Sequence, residues 1–265
     1  MMRELTIIIP VKEYNSSMDG FLHRAIVSCE KNRVILFGKD VDKYDFKPKE
    51  NESAPCMIQI VNTSDNLSYQ HNVNLAVDMV ETKYFSVLEH DDFYSPNWFK
   101  NVEKAVEYDV ENISAFLPLT EVIEYEENNE NDEEKPFNII GYSNEAFWST
   151  SFGEEIGYLD MESLQNYLGF NTSGAVFKKD DFIMLGKLKE SMKLVFWFEY
   201  LLRALHEGKR IYVIPKVGYY HFVGRKDSMT GEYQETMSEK EADWWVDLAK
   251  KEFFFKKDRN KVYEE

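Results

Sequence analysis

The sequence predicts an α/β protein whose mainly parallel, doubly wound sheet is flanked by helices, and three patterns support this fold class. Continuous apolar runs, such as those at 5–9 and 84–88, are typical of central strands that are covered on both faces. Apolar residues at helical spacing follow several of these runs. The resulting alternation of strands and helices favours a single sheet with right-handed crossover connections.

The first half of the chain is predicted to supply four strands and the helices between them. Pro10 closes the first apolar run, and Gly38 closes the second. The predicted elements are strands at 5–9, 33–37, 57–61 and 84–88 and helices over 22–29 and 73–80.

The second half is predicted to contain shorter strands and to end in a helix. Gly208 is expected to end one helix, and Pro215 to close the strand that follows. Ser238 and Glu241 form a capping box that opens the C-terminal helix. The predicted elements are strands at 113–119, 174–177 and 210–214 and helices over 96–108, 198–205 and 242–253.

Two segments between these elements do not follow a core pattern. Residues 121–135 contain eight acids and one lysine, which indicates a solvated loop whose main effect is on solubility. Residues 137–169 are aromatic and irregular. Aromatic loops of this kind either stack on sugars or pack as a lid, and the sequence leaves both interpretations open.

The overall composition bounds the class of partner. A hydrophobic content of 43% across 265 residues is enough for a real core. The formal net charge of −17 argues against nucleic acid or an anionic membrane as the main partner. An acidic protein that binds an anionic nucleotide needs a metal ion or a few well-placed cations.

The cysteines and the apolar runs indicate in which cellular compartment the protein is expected. Cys29 and Cys56 have neither metal-site spacing nor the pattern of a disulfide framework, so we expect buried free thiols in a reducing environment. The N-terminal segment has no signal-peptide pattern, and no apolar run has transmembrane length. We therefore expect a cytoplasmic protein without a transmembrane segment.

A group of ionisable side chains directly follows the apolar run at 84–88. Glu89, His90, Asp91 and Asp92 are costly to bury unless they are paired or bound to a cation. The carboxyl end of a parallel strand is where open α/β sheets bind ligands. Carboxylate oxygens suit Mg²⁺ or Mn²⁺, and these ions bind phosphates. An ordinary acidic turn is the alternative, and spacing alone does not decide between the two.

Four sequence segments stand in an order that resembles one known family. They are 6–11, a strand that ends in Pro-Val; 71–76, a helix that opens with His-Asn; 88–92, the acidic turn; and 203–215, a helix and strand. In this order and spacing, residues 4–225 resemble the family-2 glycosyltransferases of the GT-A fold. His71 stands in the place of that family's arginine. Glu89 and Asp91 stand in the two acidic places of its DXD motif.

The resemblance implies a metal-dependent inverting transferase that moves a sugar from a nucleotide diphosphate, with UDP as the expected carrier, to an acceptor hydroxyl. The implied cofactor is Mn²⁺ or Mg²⁺. The resemblance also divides residues 1–225 into a donor half, about 1–120, and an acceptor half, about 121–225. Residues 226–265 are expected to form a C-terminal helical tail that packs on the same domain.

The resemblance also implies which residues bind the donor. Tyr14, Asn15 and Asp40 are candidates for contacts with the base, although each also fits a plain turn. Glu89 is expected to act through the ribose or a metal-bound water, and His90 lies beside it as a packing or supporting residue. The remaining candidates for donor binding are Pro10, Asn72 and Arg225.

Two residues are predicted to hold the metal. Asp91 is the first choice as a direct ligand, and His221 matches a late histidine ligand of the resembling family. Arg225 and Lys226 follow on a loop and are expected to grip the diphosphate. Two alternative roles fit Asp92 equally well: it is either a residue of the metal site or the cap of the next turn.

The sequence departs from the family at the catalytic base. The places of the family's acidic pair hold Phe196 and Trp197, and the nearest acid is Glu199. Glu199 is therefore the predicted base, with a surface salt bridge to Arg203 as the alternative. Glu190 and Asp160 are weaker alternatives for the base.

Two other functions compete with this one. A catalytically silent relative that binds a glycan or a protein is favoured by Phe196 and Trp197. A nucleotidyltransferase is disfavoured because the segment after the first strand contains one lysine and no glycine. The sequence does not indicate the sugar, the acceptor or the oligomeric state.

Overall fold

The computed structural model describes residues 4–63, 67–109, 112–125, 138–167, 169–224 and 236–259. These residues form one nine-stranded sheet. Numbered in chain order, the strands are β1 (Leu5–Glu13), β2 (Arg33–Lys39), β3 (Met57–Asn62), β4 (Tyr84–Val87), β5 (Phe93–Tyr94), β6 (Ala115–Glu124), β7 (Ile139–Ser143), β8 (Val176–Lys178) and β9 (Ile211–Val223). The helices are α1 (Asp19–Ser28), α2 (Tyr69–Met79), α3 (Trp98–Glu107), α4 (Met161–Asn166), α5 (Lys179–Met184), α6 (Phe196–His206) and α7 (Glu239–Glu252).

The strand order is β3-β2-β1-β4-β8-β6-β9-β5, and β7 pairs with β6. The pairs β3–β2, β2–β1 and β1–β4 are parallel, so the predicted α/β class is confirmed. Strand β8 is antiparallel to β4 and β6, and β6 is parallel to β9. The chain builds outward from β1 to β3 and then returns to place β4 on the other side of β1. The order reverses between β1 and β4. In open α/β sheets, ligands bind at the carboxyl ends of the strands that flank such a reversal.

Strand β1 is covered on both faces because alternate side chains enter different cores. Ile8 lies in a core with residues of α2, α6 and α7. Ile7 and Ile9 lie in a second core with residues of α1 and α3. All three are fully buried, and burial of such a side chain contributes about 1.5–3 kcal/mol. The continuous apolar run therefore has the environment that the sequence predicts.

Strand β1 does not end at Pro10 as predicted but continues to Glu13. The Leu88 amide donates a hydrogen bond to the Ile8 carbonyl at 2.9 Å, so the backbone of residue 8 points toward β4. Residue 10 has the same orientation, because backbone direction alternates along a strand. Pairing with β4 ends at Ile8, and the missing N–H of Pro10 therefore removes no hydrogen bond from the sheet.

Strand β9 likewise continues past the proline that was predicted to close it. Its register with β6 shifts after Val213 and resumes at Val217. Pro215 lies within this irregularity, where a proline interrupts no regular ladder. As a result, β9 extends to Val223 and carries His221 to the carboxyl edge of the sheet.

The two cysteines differ in environment. Cys29 follows α1 and is buried, and burial raises the pKa of its thiol well above the ordinary value. Cys56 is exposed, which corrects the expectation that both thiols are buried. It lies in the bend before β3, where the chain has not yet entered the sheet. Both thiols are free.

A buried ionic network joins α6 to the segment before it. Glu199 receives hydrogen bonds from Arg203 Nε at 3.0 Å and from Arg203 Nη2 at 2.8 Å. Lys189 Nζ lies 2.9 Å from Glu199 Oε1, and the side chains of these three residues are at most 1% exposed. Arg203 also donates to the carbonyls of Leu185 and Lys187. The network therefore fixes the course of residues 185–189 against α6.

The C-terminal helix α7 covers this part of the molecule. Ser238 caps it by accepting the Glu241 amide at 3.3 Å, as the capping box predicts. Trp245 and Phe253 are buried in the core that also contains α6 residues. The backbone carbonyl of Glu252 accepts a hydrogen bond from Lys189, so α7 completes the ionic network. None of the helices in the described ranges combines the length and the apolar character needed to cross a bilayer.

Replacement of Arg203 by methionine is expected to lower the free energy of unfolding by about 3–5 kcal/mol, because it leaves a buried carboxylate without its main partner. Urea denaturation measures the change. Arg33→Met is the control, since the Arg33–Glu81 pair has side chains 40% and 79% exposed and is expected to contribute less than about 1 kcal/mol. Equal stabilities of the two variants would contradict a structural role for the network.

Candidate functional site

The candidate site lies at the carboxyl edge of the sheet, directly after β4, where the strand order reverses. Strand β4 ends at Val87, and Leu88 makes the last backbone contact with β1. The chain then turns, with the Asp92 amide donating to the Glu89 carbonyl at 3.1 Å. The side chains of Glu89, His90, Asp91 and Asp92 therefore leave the sheet together, and we call these four residues the acidic turn.

Glu89 is held by two tyrosines. The Tyr69 hydroxyl, in the first turn of α2, donates to Glu89 Oε1 at 2.6 Å. The Glu89 amide donates to the Tyr219 hydroxyl at 3.2 Å. Burial raises the pKa of Glu89 to about 7; the hydrogen bond from Tyr69 opposes this rise, and the charges of Asp91 and Asp92 add to it. The carboxyl group therefore gains or loses its proton near neutral pH.

Asp92, which directly precedes β5, forms a pair with His221 of the neighbouring strand β9. His221 Nδ1 lies 2.8 Å from Asp92 Oδ2, and the Phe222 amide donates to Asp92 Oδ1 at 2.8 Å. Both carboxylate oxygens of Asp92 are thus engaged, and its side chain is only 1% exposed. This pairing orients the imidazole with Nδ1 toward Asp92 and leaves Nε2 as the ring atom that can meet a ligand.

The pKa of His221 reflects opposing effects. Burial acts to lower it, but the charge and the hydrogen bond of Asp92, followed by the charges of Asp91 and Glu89, raise it to about 8. Burial also raises the pKa of Asp92, while the charge of His221 lowers it. His221 is therefore an imidazolium at neutral pH.

Arg24 of α1 supplies a second positive charge to this region, and sequence reasoning missed it. Its guanidinium carbon lies 4.7 Å from the centroid of the Phe93 ring and 4.8 Å from that of Phe222. Burial lowers the pKa of Arg24, and the charges of Asp92 and Asp91 counteract that effect. A single arginine on a helix gives no local signal that tertiary packing will place it beside the acidic turn.

The acidic turn by itself is not a complete metal cage. Within the described residues, no group of three or more histidine, cysteine, aspartate or glutamate side chains is arranged to hold a metal ion. Magnesium sites commonly use one or two carboxylates together with substrate phosphates. Asp91, which is 9% exposed, and Nε2 of His221 are the protein groups that fit such a partial site. A histidine whose other nitrogen is held by a carboxylate is a common arrangement for a metal ligand.

The residues predicted to contact the base lie where β1 and β2 end. The Tyr14 hydroxyl donates to Asp19 Oδ1 at 2.6 Å, and this hydrogen bond is the main cause that raises the pKa of Tyr14 to about 12. Asn15 Oδ1 accepts the Ser17 amide at 3.0 Å. Asp40 has a φ of 58° and lies 2.9 Å from Lys43 Nζ. All three residues therefore make local contacts of the kind found in turns, which is the alternative role that the sequence allowed.

Tyr44 joins this group although the sequence analysis did not single it out. The ring centroids of Tyr14 and Tyr44 are 5.7 Å apart, with an interplanar angle of 59°. Tyr44 is 8% exposed, so Tyr14 is the more accessible of the two rings. The pair forms an aromatic surface beside the end of β1.

Pro10, Asn72, His90 and Arg225 are the other residues predicted to bind the donor. Pro10 is buried within β1. Asn72 Oδ1 and His90 Nε2 are buried and have no hydrogen-bond partner within the described part of the chain. Buried polar atoms of this kind are usually satisfied by something in the functional state. Arg225 and Lys226 lie outside the described residues.

Glu199 lies in surroundings that do not suit a base for an acceptor hydroxyl. Its side chain is 0% exposed, and Arg203 and Lys189 engage it within the core. The alternative interpretation, an ion pair with Arg203, describes its contacts, but the pair is in the core and not on a helix surface. Phe196 and Trp197 begin α6, and the Phe196 ring packs at a tilt of 34° against the ring of Tyr69, with the centroids 5.3 Å apart.

The two weaker candidates for the base, Asp160 and Glu190, make different contacts. Asp160 caps α4, since its carboxylate accepts the Ser163 amide at 2.8 Å and the Ser163 hydroxyl at 2.7 Å. Glu190 Oε2 lies 2.8 Å from His71 Nδ1, and its side chain is 19% exposed. Of the acids considered for the base, Glu190 is therefore paired with a group that can itself accept a proton.

No protein-family model matches the sequence, and no curated protein matches it. The chain is similar to solved structures of S. aureus TarS. The fragment 1–349 alone gives a TM-score of 0.56 at 12% identity over 83% of this chain and 60% of that chain. Its complex with UDP-GlcNAc gives 0.57 at 12% identity over 86% and 60%. Its complex with UDP gives 0.56 at 13% identity over 84% and 62%.

The chain thus spans about three fifths of the length of these TarS fragments. At this level of identity the likeness establishes a shared fold and no more.

Substitution of Asp92 by asparagine is expected to lower the pKa of His221 from about 8 toward or below its ordinary value of 6.5, because burial then lacks its main opposing charge. NMR titration of the imidazole measures the shift. In the wild type, the charged pair stabilises the fold below pH 6.5, and this contribution is lost as the pH rises through 8. A His221 pKa unchanged in Asp92→Asn would contradict the pairing.

Proposed function

We propose that the protein is a metal-dependent inverting glycosyltransferase that transfers a sugar from a nucleotide diphosphate, with UDP as the carrier, to an acceptor hydroxyl. The observation that carries the proposal is the Asp92–His221 pair, which follows β4 directly and whose imidazole interacts with the charge of Asp91. The likeness of the fold to TarS, which was solved with UDP and with UDP-GlcNAc, supports the nucleotide-sugar class.

The donor is proposed to lie along the carboxyl edge. Its base lies near Tyr14, Asn15 and Asp40, and its diphosphate lies near the acidic turn. Asp91 and Nε2 of His221 would hold Mn²⁺ or Mg²⁺. When bound, such an ion stabilises the negative charge of a leaving diphosphate. Because His221 carries a proton below a pH of about 8, cation binding at Nε2 is favoured at higher pH.

Charged side chains around the acidic turn are also proposed to assist the departure of the diphosphate. Arg24 lies close enough to Asp91 and Asp92 to interact with their charges, so it offsets part of the repulsion within the acidic turn. Glu89 is held by Tyr69 in a fixed position for a contact with the ribose or a water molecule. Burial strengthens these charge interactions because little solvent screens them.

A catalytically silent binding protein is the second candidate. The observation in its favour is that aromatic residues, Phe196 and Trp197, stand in the places of an acidic pair and that Phe196 packs against Tyr69. Such a protein would bind a glycan or a protein partner and release no nucleotide. Donor binding and donor turnover, measured separately, distinguish the two candidates.

UDP-GlcNAc in the presence of Mn²⁺ is expected to raise the melting temperature of the wild type, because a ligand at 100 times its Kd stabilises a protein by about 2.7 kcal/mol. Asp91→Asn is expected to lose most of the Mn²⁺-dependent part of this rise. The control is Asp78→Asn, on an exposed position of α2 with a side chain 50% exposed. Differential scanning fluorimetry with and without Mn²⁺ provides the measurement.

Absence of any shift with UDP or UDP-GlcNAc would contradict the proposed function. A shift that is equal in wild type and Asp91→Asn would contradict the role of Asp91. Binding without release of UDP would favour the silent relative.

A further inference from the structure

A histidine–carboxylate pair lies at the start of α2, the helix whose Tyr69 contacts the acidic turn, and none of the contacts described for the donor uses it. His71 Nδ1 lies 2.8 Å from Glu190 Oε2, and the two side chains are 32% and 19% exposed. The carboxylate engages Nδ1, which leaves Nε2 as the nitrogen that can accept a proton. Within the described part of the chain, no hydrogen bond to Nε2 is present.

The pair is held rigidly by α2. Asn74, one turn after His71, donates from Nδ2 to Glu190 Oε1 at 3.2 Å and to the Leu188 carbonyl at 2.8 Å. Its Oδ1 accepts the Leu188 amide at 3.0 Å. Gln70 donates to the Met192 carbonyl. The loop that carries Glu190 is therefore fixed on both sides of that residue, and its carboxylate has little freedom to leave the imidazole.

The topology puts the pair at the same edge as the acidic turn. Strand β3 ends at the carboxyl edge, and the chain enters α2 soon afterwards at Tyr69. Tyr69 donates to Glu89 in the acidic turn, so the first turn of α2 touches the candidate site directly. His71 follows two residues later in the same turn, about 3 Å further along the helix axis and about 200° around it. Tyr69 therefore contacts the acidic turn, while His71 contacts the neighbouring loop that carries Glu190.

The other groups considered for proton transfer have contacts that prevent it. Glu199 is enclosed in the core with Arg203 and Lys189. The carboxylate of Asp160 is used to cap α4. Phe196 and Trp197 carry no group that accepts a proton near neutral pH. An imidazole oriented by a carboxylate is a common general base.

We propose that His71 is the general base of the transfer and that Glu190 is the residue that positions it; this inference rests on the proposed function. Nε2 of His71 takes the proton of the acceptor hydroxyl as the oxygen attacks the anomeric carbon. The bond from that carbon to the diphosphate oxygen breaks, and its electron pair leaves with UDP. The Nδ1–H hydrogen bond to Glu190 stabilises the imidazolium that forms.

Release of UDP from UDP-GlcNAc in the presence of Mn²⁺, with water as acceptor, tests this inference. His71→Ala is expected to lower the rate at saturating donor by about 100-fold or more, which is the usual contribution of a general base. Added imidazole is expected to restore part of that rate, since it can occupy the space left by the side chain. Calorimetry with UDP-GlcNAc is expected to give an unchanged Kd.

Two further variants separate chemistry from structure. His71→Gln can still donate a hydrogen bond to Glu190, so it keeps the contact between α2 and the loop but lacks a basic nitrogen. It is expected to be as slow as His71→Ala. His23→Ala is the matched control, because the His23–Glu52 pair has the same 2.8 Å distance and similar side-chain exposures of 23% and 22%. It is expected to keep the wild-type rate.

The rates, the rescue by imidazole and the donor affinity together distinguish a general base from a structural contact. Slow His71 variants with rescue by imidazole support the inference. A His71→Gln variant at the wild-type rate, or a slow His71→Ala variant that imidazole does not rescue, overturns it and leaves the pair as a structural contact. Wild-type binding of UDP-GlcNAc without UDP release also overturns it, while the donor site stands. Absence of donor binding is the separate result that removes the proposed function.

Discussion

The parallel pairing of β1 with β4 is the constraint on which the candidate site depends. The hydrogen bond from the Leu88 amide to the Ile8 carbonyl is the last contact between these strands. Beyond it the two chains diverge, and the acidic turn follows immediately on one side. The turn is therefore attached to one of the most deeply buried parts of the molecule, which fixes the positions of its side chains.

Two groups of buried charges serve different purposes in this fold. In the first, Glu199 is surrounded by Arg203 and Lys189, and the charges compensate one another within the core. In the second, the acidic turn carries three carboxylates close to His221 and Arg24. Burial raises the pKa of both Glu89 and Asp92, which indicates that the local cations do not fully compensate these carboxylates. The proposed metal ion would supply the missing positive charge.

The sequence was sufficient where the determining interactions are local. The apolar runs located the parallel strands, the capping box at Ser238 located α7, and the glycine after α6 marked its end. Proline was misleading as a strand terminator, because its effect depends on whether a neighbouring strand needs its amide. Pro10 lies where β4 no longer pairs with β1, and Pro215 lies in a bulge; neither circumstance is encoded nearby in the chain.

Parts of the candidate site were beyond prediction because they arise from distant segments. His71 and Glu190 are 119 residues apart, and only the packing of α2 on the loop before α6 brings them together. The burial of Glu199 depends in the same way on residues that come later in the chain.

Helix α7 has a consequence for how the molecule is made. Lys189 reaches the Glu252 carbonyl, and Phe253 belongs to the core that α6 enters. All nine strands precede this helix in the chain, so a ribosome will have synthesised the whole sheet before the segment that covers α6 has emerged. The nascent protein therefore exposes an apolar face of α6 until α7 has emerged, and exposed apolar surface of this kind favours aggregation.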